Sequence, residues 1–225
     1  MGIWNQKATK GGSYEMPPEG NHRATCVCVI DIGTHEEING FNGKKQQNRK
    51  VYLCWEIDGH KQADGKPFIV GNEYNFFFSE KSKLRIMIET WRGKKFSDNE
   101  EFTGFDRLPG KPCFIQISHK KAKTSDKEYA NIDAITSQPA GVQAAVPTVK
   151  PFIWSVEDAT ALPTQDWLPW IFGQSATDKI GESIEWKAKI GKTTQPAEQS
   201  PKPPQAPLAP APSHSSRMPP EFDRF

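Results

Sequence analysis

SEKSKLRIMIETWRGKKFS, residues 79–97, carries a helical period in a region that otherwise alternates like β-strand. Leu84, Met87, Ile88 and Trp91 fall at i, i+3, i+4 and i+7, one apolar stripe, with Lys81, Lys83, Arg85 and Glu89 on the remaining surface. Ser79 is placed to cap the first turn. Gly93 ends the helix where a left-handed residue is needed, and Arg92 sits at the negative end of the helix dipole.

Working outward from this helix, three strands precede it and two follow. RATCVCVIDIG (23–33) alternates, with Ala24, Cys26, Cys28, Ile30 and Ile32 on one face and Thr25, Val27, Val29 and Asp31 on the other. VYLCWEID (51–58) puts Val51, Leu53, Trp55 and Ile57 together, with Tyr52, Cys54 and Glu56 facing away. FIVGNEYNFFFS (68–79) is a third strand, bent near Gly71. CFIQISHK (113–120) and EYANIDAITS (128–137) follow the helix. The polar stretch 34–50 holds two Asn-Gly signals and is a long loop or an extended hairpin. Five strands in the order β-β-β-α-β-β predict an all-β fold with one helix: an OB-fold, a five-stranded, partly open Greek-key barrel with the helix plugging one end.

The remaining chain divides by composition. Residues 1–20 are a flexible arm, 21–138 the OB-fold domain, and 139–150 a linker. Residues 151–190 form a Trp-rich extension, with Trp154, Trp167, Trp170 and Trp186 in short apolar bursts and a short helix near 176–185. That segment is too short for its own core, so it is expected to pack on the barrel or on a partner. Residues 191–225 are Pro-rich and expected to be disordered.

Formal net charge is only +2, so cationic binding surfaces must be local. There is no apolar run of membrane-spanning length and no secretory signal at the N-terminus, which points to the cytoplasm. Cys26, Cys28, Cys54 and Cys113 lack metal-ligand spacing and are expected to be free core thiols. No phosphate loop, hydrolase nucleophile motif or zinc-protease motif is present, so neither enzyme activity nor a cofactor or metal is expected.

The positive charge is clustered. Lys44, Lys45, Arg49 and Lys50 lie between strands 1 and 2; Lys120, Lys121, Lys123 and Lys127 lie between strands 4 and 5. In an OB-fold those two loops flank the usual binding face of strands 2 and 3. Arg92, Lys94 and Lys95 add a third group. Candidate stacking rings are Tyr52, Tyr74, Phe76, Phe78 and Phe114, whereas Trp55 shares its face with Leu53 and Ile57 and belongs in the core. Cations for phosphates and rings for bases are what a single nucleic-acid strand requires.

VIDIGT (29–34), VYLCWEID (51–58), SEKSKLRIMIETWRGKKF (79–96) and LPGKPCFIQISH (108–119) resemble small OB-fold proteins of tailed phages and prophages. The resemblance covers roughly residues 17–138. LPWIFGQSATDKIGESIEW (168–186) resembles a block that follows the barrel in those proteins. It implies a single-stranded-DNA-binding or replication-associated role, and only that general role carries over. The C-terminal plan is similar to that of bacterial single-stranded-DNA-binding proteins, where a linker leads to an acidic tip ending in Phe that recruits replication and repair proteins. Here Glu221, Phe222, Asp223 and Phe225 would form such a partner-binding tip, with Arg224 departing from the pattern.

The function expected from the sequence is sequence-tolerant binding of single-stranded DNA in phage replication or recombination, as a monomer or homodimer. The alternative is an OB-fold protein-interaction module that recruits a replication or host factor. A weaker third reading is binding of duplex or RNA.

Overall fold

The computed structural model describes residues 15–121, 128–168 and 175–194. It contains β1 (Gly20–Ile38), β2 (Lys45–Lys61), β3 (Pro67–Asn75), α1 (Lys83–Arg92), β4 (Pro112–Lys121), β5 (Glu128–Thr136), β6 (Phe152–Ser155), α2 (Ala176–Glu182) and α3 (Ile184–Thr194). The described part is mostly β. Five strands form an antiparallel sheet in the order β3-β2-β1-β4-β5, and β6 adds to β1 in parallel, opposite Cys28–Asp31. The sheet is open, with β3 and β5 at the two ends of its path. Among the described residues no helix is long and apolar enough to cross a membrane.

α1 forms as its period dictates, and Leu84, Met87, Ile88 and Trp91 are all buried. Its cap is Ser82 rather than Ser79: the Ser82 hydroxyl accepts from the Arg85 backbone N–H at 3.2 Å. Gly93 closes the helix at φ +68°. The stripe enters a first core with Val51, Leu53, Trp55 and Ile57, as the alternation of β2 predicts. Trp91 meets Trp55 edge-on at 5.9 Å between ring centroids, and its indole N–H donates to the Pro112 carbonyl at 2.9 Å.

β1 departs from its predicted alternation. A bulge between Cys26 and Cys28 shifts the register. Ala24, Cys26 and Val29 enter the first core, whereas Val27, Cys28, Ile30 and Ile32 enter a second one on the opposite face. β3 stops at Asn75, short of the predicted Ser79, so Phe76, Phe77 and Phe78 lie in the irregular segment beyond it.

The second core exists because the chain after β5 returns over the sheet. Glu56 is buried, and its carboxylate accepts from the Thr148 N–H and hydroxyl at 2.8 and 2.9 Å and from the Val149 N–H at 3.1 Å. β6 then pairs with β1, and Val156, Ala176, Ile180 and Trp186 pack on Val27, Ile30, Ile32, Tyr52 and Cys54. The expected single helix is two, broken at buried Ser183. Its backbone N–H donates to the Ile180 carbonyl, and its hydroxyl accepts from the Trp186 N–H at 3.2 Å. Gly33, at φ +79°, lies under this break, where a Cβ would come within 2.6 Å of the Ser183 side chain.

Candidate nucleic-acid interface

The predicted binding face is covered. Tyr52, the first candidate for stacking, is 2% exposed and lies in the second core, opposite Ile30 and Glu73 in register. Tyr74, opposite Val51, points to the first core, and burial pushes its hydroxyl up to about 12. Neither ring can meet a base.

Two of the predicted cations are also committed internally. The Arg49 guanidinium pairs with Asp31 at 2.6 Å and with Glu157 of the extension at 2.6 Å. Its hydrogen bonds to Asp31 chiefly, and to Glu157, raise its pKa. Lys50 is buried between Glu37 and Glu73, 2.6 Å from the latter. Burial opposes its charge, but the hydrogen bonds it donates to these carboxylates outweigh that and raise its pKa. Glu73 also receives Lys179 of α2 at 2.5 Å. Arg49 therefore ties the extension to the sheet and Lys50 ties β2 to its two neighbours, so neither is left waiting for phosphate.

What remains outside is the far end of β1 and β2. β6 stops opposite Asp31 and β3 opposite Lys50. Beyond these points, pairs Thr34–Arg49 to Ile38–Lys45 continue as a two-stranded ribbon. Its base is pinned by Glu185 of α3, which accepts from the Thr34 N–H at 2.7 Å and hydroxyl at 2.5 Å. Its tip is shaped by asparagines: the Asn39 side chain accepts from the Phe41 N–H at 2.9 Å, and that of Asn42 from the Lys44 N–H at 3.0 Å. The result presents Phe41 fully exposed and Ile38 at 72%, beside exposed Lys44 and Lys45. Lys45 has only a loose approach to Glu36, at 3.9 Å. Sequence reasoning picked the lysines and missed Phe41. The signal was available: a Phe between two Asn-Gly turns has no strand face on which to be buried.

A second exposed aromatic–cation group lies at the β4–β5 end. Lys120 is opposite Tyr129 and Lys121 opposite Glu128; Tyr129 is 45% exposed, and Lys120 pairs with Asp133 at 2.8 Å. By register this end of β4 lies beyond Gly20, at the opposite end of β1 from the ribbon. Lys123, Lys127 and the segment Glu221, Phe222, Asp223, Phe225 lie outside the described residues, as does Trp170. Phe114 is half-buried between Arg23 and Thr136 in register.

A cleft follows β3, and none of the third predicted group is among its lining residues. Arg92 pairs with Glu100 at 2.8 Å and lies 4.2 Å above the Phe96 ring, while Lys94 and Lys95 are exposed. Phe78 stacks on Phe102 at 5.6 Å and meets Phe96 edge-on at 4.9 Å, and Phe76 meets Phe105 at 5.2 Å. The cleft measures about 540 Å³, and Phe77 stands at its mouth, 54% exposed.

The four cysteines are buried free thiols, and burial pushes those of Cys26, Cys54 and Cys113 up, away from thiolate chemistry. Among the described residues no three His, Cys, Asp or Glu side chains are grouped to hold a metal. No family model and no curated protein matches the chain.

Proposed function

We propose that the chain is a sequence-tolerant, non-enzymatic single-stranded-DNA-binding protein of the phage replication and recombination type. We further propose that its sheet is an OB-type barrel, with the path opened between β3 and β5. The strand order β3-β2-β1-β4-β5 and a helix between the third and fourth strands support that fold reading. Fold alone assigns no ligand. The observation that carries the function is the ribbon tip, where a fully exposed Phe41 stands beside Lys44 and Lys45. An exposed ring beside unburied ammonium groups offers stacking to a base and charge to its phosphate, without reading sequence. Lys121 and Tyr129 would form a second station for the same strand.

The test is fluorescence anisotropy with an oligo-dT of about 30 nucleotides against blunt duplex of equal length. Three or four phosphate contacts predict that affinity for the single strand falls about 20- to 50-fold between about 50 and 200 mM salt. Equal affinity for the duplex, or no salt dependence, rejects the reading.

A further inference from the structure

Phe76 and Phe77 are large apolar side chains left 42% and 54% exposed at the mouth of a cleft of about 540 Å³, within the size range of ligand pockets. The rings of Phe78, Phe102 and Phe105 are only partly buried behind them. The far wall, residues 97–105, is held in place by polar contacts. Glu100 accepts from the Ser97 N–H at 3.0 Å and its hydroxyl at 3.2 Å, and pairs with Arg92. Asn99 adopts φ +64°, the one non-glycine residue in left-handed backbone among those described. A wall fixed in advance lowers the ordering cost of binding.

The charge of the cleft decides what fits. Arg85 is taken by Glu89 at 2.9 Å and Glu100 by Arg92, which leaves Glu101 as the charge on the rim without an ion pair among the described residues. Arg107 and Lys111 lie round the far side of Phe102, in a shallower depression. A phosphate strand laid across the cleft would meet the Glu101 carboxylate and no unpaired cation among the lining residues. An apolar side chain with a cation beside it would not.

We propose that the Phe76–Phe105 cleft is a docking site for a short segment of another protein, one that inserts an aromatic or branched apolar anchor and sets a Lys or Arg against Glu101. Buried aromatic anchors in pockets carry most of the affinity in such contacts. This goes beyond the DNA-binding reading and does not rest on it.

The test selects a displayed library of random peptides, about 12 residues each, on the full chain, with Phe77→Ser as the counter-selection target. Phe77 is exposed, so the variant should melt like the parent. Enriched peptides should combine an apolar anchor with Lys or Arg within four positions. They should bind at least tenfold more weakly to Phe77→Ser and about fivefold more weakly to Glu101→Lys, while oligo-dT binding is unchanged in both. Enrichment of acidic peptides, binding indifferent to Phe77, or no enrichment overturns the proposal. So does a loss of oligo-dT binding in these variants, which would make the cleft part of the DNA path. Failure of the parent chain to bind oligo-dT would reject the DNA reading and leave the peptide result standing.

Discussion

β1 and β2 are one antiparallel pair that the rest of the molecule treats in two opposite ways. Between Ala24 and Ile32, and between Lys50 and Ile57, every side chain except that of Asp31 is buried, because α1 and its neighbours cover one face and the extension covers the other. Between Thr34 and Arg49 the same two strands bury no side chain at all. A two-stranded ribbon is marginal by itself. Here it continues from a pair fixed on both faces and is anchored through Thr34 to Glu185. The lower half supplies stability and the upper half spends none of its aromatic surface on it. That division is why we propose the ribbon, rather than the sheet face that the strand pattern first suggests, as the binding surface.

The strongest way to break this comparison is to remove the cover. A chain ending at Val146 loses β6, α2 and α3 and exposes Val27, Cys28, Ile30, Ile32, Tyr52 and Cys54. Burial of that many apolar side chains is worth about 10 kcal/mol, the size of a whole domain's stability. The truncated chain should fail to unfold cooperatively and should self-associate, by circular dichroism and light scattering. A soluble, cooperatively melting product with raised affinity for oligo-dT would mean that the extension is a detachable cover and that the sheet face is the true binding surface.

Point substitutions sharpen the same comparison. Trp55→Ala in the first core and Tyr52→Ala in the second should each cost about 3–5 kcal/mol in urea unfolding, as for deletion of a buried large ring. If Tyr52→Ala leaves the midpoint unchanged and weakens DNA binding instead, the second core is not formed in solution.

Smaller still is an alkaline effect of Tyr74. Folded Tyr74 keeps its proton up to about pH 12, against an ordinary value of 10.0, because burial disfavours the phenolate. Its contribution is therefore intact below pH 10 and is lost progressively between pH 10 and 12, a change of roughly 2–3 kcal/mol. Tyr74→Phe should flatten the stability profile over that interval. An unchanged profile would place the hydroxyl in solvent.

How much of this was legible in the sequence follows from the range of the contacts involved. The stripe Leu84–Met87–Ile88–Trp91 and the face Val51–Leu53–Trp55–Ile57 are set by local periods, and both land in the first core. The same alternation says that Tyr52 faces away from Leu53, but not that residues a hundred positions later will cover it. Cys28 and Ile30 changed sides because one bulge reverses every later position of a period-2 pattern. Arg49 and Lys50 looked like free loop charges, whereas their carboxylates come from β1, β3 and the segment after β6. Ion-pair partners so distant in sequence leave no local trace. Phe41 was legible, since its isolation between turns is a property of its immediate neighbours alone.

The smallest expected effect on stability is the most direct test of the proposed function. Phe41 touches no core, and Lys44 and Lys45 have no close ion pair among the described residues. Phe41→Ala, and Lys44→Ala with Lys45→Ala, should each move stability by no more than about 0.5 kcal/mol, as for surface positions without partners. If the tip holds a strand, the two variants should fail differently. Loss of the ring removes a stacked base, so Phe41→Ala should weaken oligo-dT binding by about 1–3 kcal/mol and leave the salt slope alone. Loss of the two ammonium groups removes phosphate contacts, so the double variant should lower the slope of log affinity against log salt by about one to two. Binding unchanged in both variants, with melting also unchanged, would make the ribbon a passive projection. The exposed tip would then have to be explained by a contact other than DNA.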